Sequence, residues 1–219
     1  MNSERIKKPV ITLTAGPVQG YSEVLQAMSK PLGYDYDPYF QAFYENVALK
    51  CSKAMRWPQP ALIIQAEPAV AIEAAAASLI GRGDTVLNLA SGVYGKGFGY
   101  WSARYHKDMV EIEVPFNEAI SPDAVEKALG EHPEVSIVSM VHHDTPSGTI
   151  NPILEIGRVV KKHGALLLVD AVSSFGGMDV HPGDCGADVH HRPFGSDRQR
   201  APHAAARAHD FRRERPPAQ

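Results

Sequence analysis

The sequence predicts an α/β fold: a mainly parallel β-sheet with helices covering both faces. Short, near-continuous apolar runs recur through residues 61–170. Stretches with helical spacing and turn residues separate them, which is the pattern of βαβ units rather than hairpins. The composition permits such a core, with 44% hydrophobic and 21% charged residues in 219. A chain of that length and balance buries a sizeable interior and is not broadly disordered.

Taken in order, residues 1–20 read as an extended arm. Helical segments follow around an aromatic cluster of Tyr34, Tyr36, Tyr39, Phe40, Phe43 and Tyr44. Residues 61–66 form the first apolar run and predict a strand, and the Ala-rich stretch 69–80 predicts a helix. Gly81 to Asp84 make a turn before a second strand at 85–90, and a helix over 94–105 leads to a strand at 109–114. Ser121 then Pro122 read as an N-cap and first helical residue. A buried strand at 135–141, a helix over 152–163 and another buried strand at 165–170 complete the pattern.

In open α/β sheets ligands sit beyond the carboxyl ends of the strands, so the polar residues there are the candidates. They are Glu67, the Ser91–Tyr94 stretch, the polar turn at 142–148, and Asp170 with the residues after it. An Asp closing a buried strand is costly without a cationic or donor partner. A pyridinium nitrogen is one such partner; capping of the following turn is the other reading. Tyr94, opening a helix after a strand, suits stacking on a ring or ordinary packing. Adjacent His142, His143 and Asp144 point apart on an extended turn, so no metal site is expected. The glycines at 95, 97 and 99 do not make a dinucleotide fingerprint.

The net charge of −3 gives no reason to expect nucleic acid or an anionic membrane as partner. No apolar run is long enough to span a bilayer, and the first residues lack the apolar stretch of a signal peptide. Cys51 and Cys185 rule out a disulfide scaffold and suit a reduced, cytoplasmic protein, with both thiols expected to be inert. These averages conceal a break. Residues 190–219 hold seven arginines, no lysine and three acidic residues, a net +4, and no Val, Ile, Leu or Met. The first 189 residues carry 15 basic against 22 acidic groups, a net −7.

Four segments together resemble the class V aminotransferases of fold type I. They are Leu-Thr-Ala-Gly-Pro-Val at 13–18, Ser-Gly-Val-Tyr-Gly-Lys-Gly-Phe-Gly-Tyr-Trp at 91–101, His-His-Asp-Thr-Pro-Ser-Gly-Thr-Ile-Asn-Pro at 142–152 and Val-Asp-Ala-Val-Ser-Ser-Phe-Gly-Gly-Met at 169–178. The resemblance runs from about Val10 to Asp188 and is nearest to members that pass an amino group from pyridoxamine to pyruvate, giving pyridoxal and L-alanine. It implies the large domain of a fold type I PLP-transferase over residues 21–189, incomplete at its carboxyl end. It also implies roles by position. Asp170 would pair with the pyridine nitrogen, Val172 would pack under the ring and Tyr94 would stack on its other face. Thr145 would offer its hydroxyl to the ring's phenolic oxygen or the substrate, and Gly16 its backbone to the substrate carboxylate. Glu67 and Pro68 stand where most relatives have a small hydroxyl residue and glycine cupping the cofactor phosphate. A carboxylate there favours the free hydroxymethyl of pyridoxal or pyridoxamine, bound as substrate. A pyridoxal 5′-phosphate enzyme acting on alanine and glyoxylate or serine and pyruvate is the alternative. Small-molecule substrates and a homo-oligomer are implied as partners.

The chain departs from that family at the catalytic position. The Schiff-base lysine is expected near position 196, which is Ser196, and no lysine follows Lys162. The 219-residue chain is therefore expected to be inactive, and a non-catalytic pseudoenzyme is a further alternative. Residues 207–219 can be back-translated to a run whose next frame reads Gly-Leu-Thr-Ile-Ser-Gly-Val-Ser-Asp-Arg-Pro-Leu. The same shift turns the His-Arg-Pro at 191–193 into Thr-Gly-Pro. A frameshift near residue 189, leaving 190–219 an out-of-frame, disordered tail, is the expectation. A genuine basic tail for acidic partners is its competitor, and sequencing the gene separates the two.

Overall fold

A computed structural model describes residues 15, 16, 18–105, 108–179 and 181–185. The arm over 1–14 and the tail over 190–219 lie outside the described residues. Helices α1 (Ser22–Met28) and α2 (Pro38–Ala54) come first, then α3 (Pro68–Leu79), β1 (Thr85–Ala90), α4 (Gly92–Ser102) and β2 (Asp108–Glu113). Then follow α5 (Pro122–Glu131), β3 (Val135–Val141), the short strands β4 (His143–Asp144) and β5 (Thr149–Ile150), α6 (Ile153–Lys162) and β6 (Leu166–Asp170).

The sheet runs β2-β1-β3-β6 with every pair parallel. The predicted parallel sheet is present, and its burial explains why the strands read as continuous apolar runs. Alternate residues serve two cores. Leu87, Leu89, Val138, Met140 and Leu167 pack with Val125 and Leu129 of α5 and Ile153, Ile156 and Val160 of α6. Val86, Ile137 and Leu168 face the other way, onto Ala76 of α3, Ile80 just after it, and Phe98 of α4. β1 therefore has no solvent face, and all six of its residues are buried.

Helix α4 sits close to β1 because its glycines have no Cβ. One at Gly95 would press on the Leu89 carbonyl, and one at Gly99 on the Asn88 amide. Asn88 itself donates to the Gly95 carbonyl (3.2 Å) and to Glu111 (3.0 Å), and accepts from the Ser139 hydroxyl (2.8 Å). Gly95 and Gly99 are thus the packing surface of this helix.

Two expectations need correction. Residues 61–66 form no strand. A strand needs a neighbour for its ladder, and here the Ala61 N–H donates to the Ser52 hydroxyl (2.7 Å) while the Ile63 carbonyl accepts from Tyr44 (3.1 Å). Leu62, Ile63 and Ile64 stay exposed. Ser121 occupies the N-cap place of α5, with Pro122 first in the helix, but its side chain makes no capping bond. Among the described residues, no helix is long and apolar enough to cross a membrane.

Candidate functional site

The strand order reverses between β1 and β3: from β1 the chain leads outward to β2 on one side and through β3 to β6 on the other. The crevice at such a switch, beyond the carboxyl ends of the strands, is where this architecture places ligands. Three segments converge there: α4 after β1, the β4–β5 turn after β3, and residues 171–174 after β6.

Asp170 ends β6 and is buried. One carboxylate oxygen accepts from the Val172 N–H at 2.9 Å. Burial pushes its carboxyl above the usual range; the Val172 bond opposes this and the neighbouring Asp144 adds to it. Such a group gains from a cation or a strong donor placed beside it. It borders a cavity of about 260 Å³, walled by Pro68, Ala71 and Ile72 of α3, by Phe98, and by Leu168 and Val172. Among the sequence candidates, Pro68, Asp170 and Val172 thus share one cavity.

Tyr94 is the third residue of α4 and is half-exposed. Thr145 is part-buried, and its hydroxyl meets that of Ser173. His143 Nδ1 lies 3.4 Å from the Ser173 carbonyl, so the β4–β5 turn is tied to the segment after β6. Glu67 is the N-cap residue of α3, exposed, with no side-chain capping bond. Gly16 is exposed, and no contact joins it to the other candidates among the described residues.

Asp144, which the sequence placed only within the candidate turn at 142–148, is fully buried. Its Oδ1 accepts from the Tyr94 N–H (2.8 Å), and Oδ2 from the Ser147 N–H (3.1 Å) and hydroxyl (2.8 Å). The Asp-x-x-Ser-Gly turn pattern was a signal for the Ser147 bonds, but the Tyr94 bond spans fifty residues and has no local signature. His142 is buried on β3's continuation with Nδ1 unpartnered, and burial, then His143, pushes its pKa below the ordinary value. Among the described residues, no three His, Cys, Asp or Glu side chains gather to hold a metal. Burial pushes the Cys185 thiol up to about 11, so it stays protonated and unreactive at neutral pH.

The family model for class-V aminotransferases matches residues 65–194. A pyridoxamine–pyruvate transaminase of Mesorhizobium japonicum is 62% identical over 182 residues, 83% of this chain and 46% of that protein. The crystal structure of pyridoxamine–pyruvate aminotransferase from Mesorhizobium loti superposes with a TM-score of 0.80 at 60% identity, covering 86% of this chain and 48% of that one. An alanine–glyoxylate aminotransferase from Nostoc sp. follows with a TM-score of 0.77 at 28% identity, covering 86% and 50%. The chain thus spans about half the length of the relatives it matches.

Proposed function

The chain belongs to the class-V aminotransferases, and from that premise we propose that its site takes a vitamin B6 ring without a phosphate, in an amino transfer from pyridoxamine to pyruvate that yields pyridoxal and L-alanine. Enzymes of this family depend on pyridoxal phosphate and act on small molecules. The observation that carries the narrower reading is Glu67, an exposed carboxylate in the N-cap place of α3. A helix N-terminus attracts anions. With a carboxylate already there, a phosphate dianion meets like charge, whereas a hydroxymethyl group meets an acceptor. The 62% identity to a pyridoxamine–pyruvate transaminase supports the same reading.

The donor set fits a ring. Asp170, held above its usual range by burial, would hold the pyridine nitrogen as a charged hydrogen-bond donor. Val172 and Pro68 give that ring an apolar wall, and Tyr94 a stacking face. The Thr145 hydroxyl would serve the phenolic oxygen or the substrate, and the Gly16 backbone the substrate carboxylate, as the family resemblance implies. The ring, when bound, supplies an electron sink for the carbon beside the amino group. A proton must still move at that carbon, which is the task of a lysine, and position 196 is Ser196 with no lysine after Lys162. We therefore expect the 219-residue chain to bind the ring without turning it over. The exposed apolar side chains of α1 and α2, among them Val24, Leu25, Tyr39 and Phe43, suit a homodimer contact.

Binding of pyridoxal and of pyridoxal phosphate to the purified chain, followed by ring fluorescence, tests the reading. Pyridoxal is expected to bind more tightly, and tighter binding of the phosphate form would instead favour the alanine–glyoxylate type of enzyme. Formation of alanine from pyridoxamine and pyruvate by this chain, or a borohydride-trapped ring adduct, would refute the missing proton shuttle.

A further inference from the structure

We propose that Asp144 is a positioning residue for the ring, holding Tyr94 and Thr145 in one fixed spacing; the inference rests on the ring-binding reading above. The starting observation is an unused local cap. Ser91, a residue type well suited to capping, stands in the N-cap place of α4 but makes no capping bond. Its hydroxyl donates instead to the Glu118 carbonyl (3.0 Å). The free N–H of Tyr94 is satisfied by Asp144, from the turn after β3.

A local serine would satisfy that N–H equally well. Only the remote carboxylate also ties α4 to the β4–β5 turn. Its second oxygen accepts both donors of Ser147, and the Gly148 N–H donates to its carbonyl (2.9 Å), so the turn closes around the same residue. Thr145 is its chain neighbour and is anchored on the far side by Ser173. Gly92 completes the clamp: its φ is +71°, and a Cβ there would overlap the Asp144 carboxylate. Tyr94 on α4, Thr145 on the turn and Val172 beyond β6 are therefore linked through Asp144 and Ser173, although each lies on a different segment.

The test is a double-mutant cycle on pyridoxal affinity, with the circular dichroism induced in the bound ring as a second reading. Asp144→Ala is expected to weaken pyridoxal binding about tenfold, the effect of leaving a bonded donor unpaired, and to abolish the induced signal. Tyr94→Ala should do much the same. If Asp144 acts through Tyr94, the double variant binds no more than about twofold worse than Asp144→Ala, because the two losses overlap. Additive losses, or an unchanged induced signal in Asp144→Ala, overturn the proposal. Should Asp144→Ala fail to fold, Asp144→Asn replaces it in the cycle. If the parent chain binds no pyridoxal, the ring-binding reading fails and hydrogen exchange decides the linkage alone. Joint loss of protection at 92–96 and 145–149 in Asp144→Asn supports it, and loss confined to one segment overturns it.

Discussion

The amino ends of α3 and α4 face the same edge of the sheet and are finished in opposite ways. That of α4 is closed: a buried carboxylate from another segment takes its Tyr94 N–H, and the local serine is turned away. That of α3 is open, with an exposed Glu67 in the cap place and no side-chain bond to the helix. An internal, fully bonded acid fixes geometry, whereas an unbonded acid at the surface is available to a ligand. The same residue chemistry thus serves construction at one helix and, in the proposed reading, recognition at the other.

The largest effect is expected from breaking the closed end. Gly92→Ala combines an unfavourable backbone angle with overlap onto Asp144, and should cost about 3 kcal/mol in a urea unfolding experiment. The matching change at the open end, Glu67→Gly, should shift stability by only a few tenths of a kcal/mol. Comparable losses at both ends would erase the contrast. Next in size, Glu67→Ser removes the like charge and restores a phosphate-tolerant cup. The ratio of pyridoxal phosphate to pyridoxal affinity should rise about tenfold, roughly 1.4 kcal/mol, with unfolding unchanged.

Asp170 adds a third acid, buried and raised, that neither end accommodates. Asp170→Asn removes an ionisation that the folded chain disfavours, so the ligand-free protein should gain about 1 kcal/mol at neutral pH while losing ring binding. Melting curves with and without pyridoxal check both halves. The smallest effect is a pH slope beneath the α4 clamp. The His142 imidazole, pushed down by burial and then by His143, stays neutral in the fold while the unfolded chain binds its proton below about pH 6.5. Stability is therefore full above that pH and falls as pH drops toward the lower folded value, by at most about 1.4 kcal/mol per unit for one proton. Unfolding midpoints between neutral and mildly acidic pH, with and without His142→Leu, measure it.

Much of this was legible in the chain. Strands β1, β3 and β6 are buried on both faces, so their apolar runs identify them. Asp170 was legible as a polar residue closing an apolar run, a local feature, whereas Val172 and Pro68 entered only through the family resemblance. Residues 61–66 misled because an apolar run carries no record of whether a partner strand lies beside it. The partners of Asp144 and Ser173 stayed hidden for a related reason: Tyr94 and Thr145 lie 50 and 28 residues away, and such pairs leave no spacing to read.

The strand order also dictates when the site can exist. β1 and β3 pair Thr85 with Val135, so the central ladder closes only after about fifty residues of chain are drawn together, the longest closure among the described strand pairs, while β6 pairs with β3 on its other side. Asp170 sits at the end of β6, one of the two outer strands of the described sheet. The site draws on segments that follow β1, β3 and β6, so ring binding should appear only once all three strands have paired. During unfolding it should vanish as soon as any one of the three separates. A vitamin B6 ring that lodges there would act as a kinetic latch on the edge of the sheet.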